Sequence, residues 1–150
     1  MAGEKTFVDT NVLAYAHDTS ERTRQPVARA RLEALWASGN GVLSTQVLQE
    51  FYVVATRKFR PPLARREVRE IVSLYATWTL IQVDPTLILA AARLEERLQL
   101  SFWDALIVEA ARVAGAATLL SEDLEHGRRI GGVRIEDPFR AEQDGLRSDA

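Results

Sequence analysis

Four acids, Asp9, Glu50, Asp104 and Asp123, carry the residue types and spacing on which chemistry could rest. Asp9 ends the apolar run Phe7-Val8 in "TFVDTNVLAYA". Ionised Asp is almost never buried without a partner, so it either caps the next helix or holds something positive. Asp104 sits in "SFWDALIVEAA", where Ile107, Val108 and Ala111 follow at helical spacing. That places it on an inward stripe. Ser101-x-x-Asp104 also reads as a capping box, and position alone leaves the two readings even. Glu50, in "TQVLQEFYVVATR", lies between Gln46 and Arg57 on what reads equally as a solvated stripe. Asp123, in "SEDLEHG", could cap a turn, and Glu122 and Glu125 compete with it. Singly, each acid has a structural explanation. As a set they come from four elements, two at strand ends and two on helices beside a sheet. Converged, four carboxylates repel and could not all stay ionised without cations among them. All-oxygen ligation suits Mg2+ or Mn2+ rather than zinc. The chemistry implied is metal-assisted phosphodiester hydrolysis.

The elements that must position these acids follow from pattern. Residues 6–8 read as a short strand feeding a helix from about Asn11. A helix over 26–38 starts at Pro26 and ends at Gly39, with Ala28, Leu32, Leu35 and Trp36 on one face. Gly41–Ser44 is a buried strand, and a helix runs from Thr45 to about Lys58, stopped by Pro61-Pro62. Val68, Ile71, Val72 and Tyr75 mark a further helix, and Leu80–Val83 a strand. Asp84 caps a helix with Pro85 at its first position. Ser101–Ala114 is a helix, Ala117–Leu120 the fourth strand, and Val133–Ile135 the last, at an edge. Strands alternating with helices predict an α/β sandwich with a mostly parallel sheet. Ligands then bind beyond the carboxyl ends of the strands, where Asp9 and Asp123 fall.

Composition narrows the class. The chain has 150 residues, 47% hydrophobic, which fits a single domain over 1–140 with a polar, disordered tail over 141–150. There are no cysteines, so disulfides and thiolate metal sites are excluded, which fits a cytoplasmic location. No stretch approaches the roughly 20 apolar residues of a membrane span. The net charge of −2 provides no global basic field, so any nucleic acid must be held by local patches. Of the 19 basic residues only Lys5 and Lys58 are lysines; arginine suits phosphate contacts, and a GC-rich genome explains the bias as well. No Gly-rich nucleotide-binding fingerprint is present.

The sequence resembles the PIN-domain family, and within it the VapC-type toxins of bacterial toxin–antitoxin pairs. "FVDTNVLAY", "QVLQEFYVVATR", "LSFWDALIVEAA" and "LLSEDLEHG" carry the resemblance, in order, over residues 6–127. It implies a PIN-like three-layer sandwich with a five-stranded sheet flanked by helices. It implies that Asp9, Glu50, Asp104 and Asp123 form a Mg2+- or Mn2+-binding nuclease centre acting on RNA. Asn11 matches a small polar position supporting the first Asp, and Ser121 the hydroxyl two before the last. A homodimer and inhibition by a cognate antitoxin are implied too. The alternative is a PIN-fold module that binds RNA or protein without cutting it, which the intact acid set argues against.

The remaining features are expectations from local pattern. Arg128 and Arg129, just past Asp123, are placed to hold phosphate near the metal. "RKFRPPLARR", with Arg57 and Arg60, is either a second RNA patch or a solvated helix end. His17 and His126 read as surface residues. Trp36, Trp78 and Trp103 read as core or interface residues rather than base-stacking groups.

Overall fold

A computed structural model describes residues 3–140. The predicted tail over 141–150 lies outside the described residues. Its elements are β1 (Thr6–Val8), α1 (Thr10–His17), α2 (Arg24–Ser38), β2 (Gly41–Ser44), α3 (Thr45–Arg57) and α4 (Arg65–Tyr75). These are followed by β3 (Thr79–Ile81), α5 (Pro85–Leu98), α6 (Phe102–Val113), β4 (Thr118–Leu120), β5 (Arg129–Ile130) and β6 (Val133–Glu136).

The strands form one sheet in the order β3-β2-β1-β4-β6-β5. Every pairing is parallel except β5 with β6. The predicted α/β class with a mostly parallel sheet is the one observed, with six strands rather than five. The extra strand is β5, only two residues long, too short to show a period. It pairs outside β6, so the segment predicted as the edge strand is interior.

Phe7, Val8, Val42, Leu43, Leu119 and Leu120 are fully buried. That explains why the central strands read as continuous apolar runs rather than alternating ones. Helix α6 packs against β2, β4 and β6 and pairs with α5, while α1 contacts α2 and α3. Gly41 sits against the ring of Trp78, where a Cβ would collide with ring carbons. From β1 the chain moves to β2 and then β3 on one side, and returns through β4 on the other. The gap beyond the carboxyl ends of β1 and β4 is therefore the topological switch point, where such sheets bind ligands.

Candidate active site

Asp9 follows β1 and is the N-cap of α1, 5% exposed. Its Oδ1 accepts from the Thr10 amide at 2.7 Å and its Oδ2 from the Ser121 hydroxyl at 2.8 Å. The capping reading of this residue is realised on Oδ1, while Oδ2 is held by the Ser121 hydroxyl. Ser121 follows β4, and its Oγ also accepts from the Asp123 amide at 3.2 Å. One hydroxyl joins the first and last acids.

Asn11 holds the loop after β4. Its Nδ2 donates to Asp123 Oδ2 at 3.0 Å, and its Oδ1 accepts from the Glu122 amide at 3.1 Å. It supports the last acid, where the first was expected. Glu122, a competitor of Asp123 in the sequence, is otherwise engaged. It accepts from Tyr15 Oη at 2.7 Å and from Arg24 Nε at 2.6 Å. The Arg24 guanidinium also lies over the rings of Tyr15 and Phe139.

Glu50 projects from the middle of α3. Thr10 Oγ1 donates to its Oε2 at 3.4 Å, and Gln46 Nε2 to its Oε1 at 2.7 Å. Gln46 Nε2 also reaches the Trp103 carbonyl at 3.3 Å, tying α3 to the first turn of α6. Gln46 is 5% exposed and its Oε1 has no partner. Asp104 lies in that first turn, and its amide donates to the N-cap hydroxyl of Ser101 at 3.1 Å.

The electrostatics bind the four acids into one group. Burial pushes the Asp9 carboxyl up to about 7, and the charges of Asp123 and Glu50 push the same way, against the lowering pull of its two hydrogen bonds. Burial raises Asp104 as well, and Asp123 adds to it. Among the described residues none of the four makes an ion pair. A cation among them would offset both the burial penalty and the mutual repulsion. The donor set is carboxylate oxygen throughout, which fits a hard divalent ion. The spacing is looser than the chemistry. Among the described residues no three His, Cys, Asp or Glu side chains are grouped closely enough to hold a metal as they stand.

Two cavities of about 300 Å3 share Glu50 as a lining residue. One is lined by Thr10, Asn11, Tyr15, Glu50, Lys58 and Asp123, among others. The other is lined by Gln46, Gln49, Glu50 and Trp103. A larger cavity of about 560 Å3, with Leu48, Tyr52 and Val72 in its walls, holds none of the acids. Its lining is mostly apolar, so chemistry rather than size marks the site.

Gln46 and Trp103 were not expected here, and Lys58 was expected only as part of the "RKFRPPLARR" patch rather than in a cavity wall with Glu50 and Asp123. The signal for two of them was readable, since 46, 50, 54 and 58 are four apart and share one face of a helix. Trp103 is 65% exposed, not core. Of the predicted phosphate contacts, Arg57 and Arg60 are exposed near the end of α3. Arg128 precedes β5 and Arg129 begins it. That strand is two places from β4, roughly 10 Å across the sheet. His126 is exposed as expected, but His17 is not. It packs against Phe51 and Tyr75, and burial lowers its pKa to about 4. No helix among the described residues is long and apolar enough to cross a membrane.

Comparison with known proteins agrees with this architecture. The PIN domain family model matches residues 6–131, and the chain belongs to that family. Solved structures with the same fold include VapC20 of Mycobacterium tuberculosis, described as a Sarcin-Ricin loop cleaving toxin. It is 23% identical at a TM-score of 0.62, covering 79% of this chain and 92% of that one. A toxin–antitoxin complex from Klebsiella pneumoniae matches at 20% identity and a TM-score of 0.65, covering 86% and 95%. DNA-bound VapBC from Salmonella typhimurium matches at 19% and 0.64, covering 91% and 99%. A comparison with curated protein sequences found no match.

Proposed function

We propose that this protein is a divalent-cation-dependent endoribonuclease, the toxin of a toxin–antitoxin pair. The observation that carries the reading is the rim itself. The charges of Glu50 and Asp123 add to the burial that raises the Asp9 carboxyl, Asp123 adds to that of Asp104, and none of the four acids is in an ion pair among the described residues. The similar structures support the biology: one is a Sarcin-Ricin loop cleaving toxin, and another is a toxin–antitoxin complex.

In this reading Asp9, Glu50, Asp104 and Asp123 hold Mg2+ or Mn2+. Such an ion lowers the pKa of water and stabilises charge on a phosphoryl group. The chain's own work is orientation. Ser121 and the Thr10 amide fix both oxygens of Asp9, Asn11 fixes Asp123, and Thr10 with Gln46 fixes Glu50. Arg128, Arg129, Arg57 and Arg60 contribute phosphate contacts around that centre. The protein works in the cytoplasm as a homodimer and is held inactive by a cognate antitoxin.

The test is cleavage of RNA by highly purified protein. Asp104→Asn should lower the rate at least about 100-fold by removing a charged ligand, and EDTA should do the same to the parent. Full cleavage in EDTA sinks the mechanism. RNA binding with no cleavage at any Mg2+ or Mn2+ concentration favours a non-catalytic binding module instead.

A further inference from the structure

We propose that Trp103 is a stacking platform for an unpaired RNA base beside the scissile phosphate, and that Lys58 holds a backbone phosphate at the other end of the same track. The proposal rests on the ribonuclease reading and adds to it how the substrate lies and what form it must take.

The ring is built to present a face. Trp103 is 65% exposed, more than any other aromatic residue of the described chain. Half-buried Phe102 packs on the core and stacks almost parallel to it, at 13° and 5.3 Å between centroids. One face of the indole is thereby supported while the residue stays open to solvent. Its position is fixed from behind too, because its carbonyl accepts from Gln46, the residue that also holds Glu50. Exposing a large aromatic surface to water is unfavourable. Trp36, 42% exposed, and half-buried Trp78 reduce this by packing with each other and with Tyr75.

The location gives the platform its occupant. Asp104 is the next residue in the chain, and Gln46, Gln49 and Glu50 form the rest of the cavity wall. Glu50 is also a wall of the second cavity, where Lys58 stands. Gln46, Glu50, Val54 and Lys58 are spaced by four along α3, so one helix face runs past both cavities, with Glu50 in the wall of each. Lys58 follows directly as the C-cap of that helix. Along that face come an aromatic plane, then carboxylates, then an ammonium. A strand of RNA carries the matching sequence of groups: a base with a π-face, a phosphate for the metal-bearing acids, and a further phosphate for the lysine. In an A-form duplex the base faces are stacked on one another and cannot reach such a ring. The platform therefore selects nucleotides already out of the helix, in loops or single strands.

The experiment measures binding of a single-stranded RNA oligonucleotide, and of the same sequence in a duplex, to the full chain in an Asp104→Asn background with Mg2+. Intrinsic tryptophan fluorescence and salt dependence are recorded together. Trp103→Ala should weaken single-strand binding about tenfold, leave the salt slope unchanged and remove the RNA-induced quenching. Trp103→Phe should recover most of the affinity while still lacking the quench, because a smaller aromatic face remains. Lys58→Ala should flatten the salt slope by roughly 0.7, the share of one single-strand phosphate contact. The duplex should bind more weakly and be insensitive to Trp103. Single-strand binding and quenching unchanged by Trp103→Ala overturn the platform and leave the ribonuclease reading standing. So does a loss of self-association with RNA affinity intact, which assigns the ring to a second copy. Absence of RNA binding by the Asp104→Asn and parent chains alike overturns both readings.

Discussion

Glu109 and Asp9 are equally buried, each 5% exposed, yet their partners differ in kind. Glu109 receives the Arg112 guanidinium through two hydrogen bonds to one oxygen, at 3.0 and 2.7 Å. Asp9 receives a hydroxyl and an amide. The contrast extends to neighbours. Glu122 is held by Arg24, and Glu136 by Arg31 and Arg134, with its carboxyl kept below the usual range chiefly by Arg31. All but two of the 19 basic residues are arginines, so cations are plentiful. They pair with one buried acid, Glu109, and with the half-buried Glu122 and Glu136. Among the described residues they form no ion pair with Asp9, Glu50, Asp104 or Asp123, although Glu122 beside Asp123 is paired. A fold that neutralises a buried carboxylate at Glu109 leaves Asp9 without an ion-pair partner among the described residues, which supports the proposed cation.

The largest effect should come from supplying that neutraliser. Divalent cation at a hundredfold excess over its dissociation constant should stabilise the fold by about 2.7 kcal/mol, and Asp9→Asn should remove most of the gain. Without metal the sign reverses. Asp9 has a folded pKa raised to about 7, so the native state keeps a proton that the unfolded chain has released. Stability from this group grows as pH falls from about 7 toward 4, on the order of 4 kcal/mol. His17 runs the other way. Its folded pKa is lowered to about 4, so its contribution is complete above about 6.5 and is lost as pH falls toward 4. The two oppose each other in one window, and a melt of the parent alone hides both. The difference between parent and Asp9→Asn isolates the rim. In EDTA at pH 8 the variant should melt at or above the parent, with the gap closing near pH 4. Strong destabilisation of Asp9→Asn at pH 8 would return Asp9 to a purely capping role.

That contrast was only half legible in the sequence. Asp9 and Asp104 announce themselves because a carboxylate interrupts an apolar pattern, and pattern is what a sequence displays. Glu50 does not, since Gln46 and Arg57 make it look solvated, and its place at the rim comes from the packing of α3 against α1. The central strands were readable as short apolar runs. Strand β5 was not, because two residues have no period, although the Gly131-Gly132 pair beside it is a hairpin signal. His17 was misread because its burial is supplied by Phe51 and Tyr75, distant in sequence. For Trp103 the sequence left core and interface open, and only tertiary structure shows the ring outside the core.

A smaller effect tests the paired half of the comparison. Arg112→Met keeps the aliphatic stem but strips the charge from Glu109. Leaving a buried carboxylate alone should cost about 1–3 kcal/mol, at the low end because the Arg112 side chain is 46% exposed. Adding Glu109→Gln should restore part of the loss in a double-mutant cycle. The informative point is the sign against Asp9→Asn in metal-free buffer. One acid should suffer from losing its partner, and the other should gain from losing its charge. Equal losses in both would mean that the rim is as well neutralised as the rest of the molecule.

The smallest effect concerns Arg128 and Arg129, which belong to neither set, because no ion pair holds them among the described residues. Sequence proximity to Asp123 argues for phosphate contacts. The sheet order argues for a weaker role, since β6 separates β5 from β4. Arg129 also lies opposite Arg134 in the β5–β6 pairing, so two like charges face each other there. Glu136, paired with Arg134, offsets part of that repulsion within the protein. If RNA continues past the acids in this direction, changing both arginines to Ala should flatten the salt dependence of binding by up to about 1.4, the share of two single-strand contacts. Metal affinity should be unchanged, because neither residue touches an acid of the rim. An unchanged slope would remove the pair from the RNA path and leave the positive charge on the other flank, where Lys58, Arg57 and Arg60 follow Glu50 at the end of α3. The substrate would then lie along a helix face rather than across the strand ends, and the unpaired carboxylates would be approached from one side only.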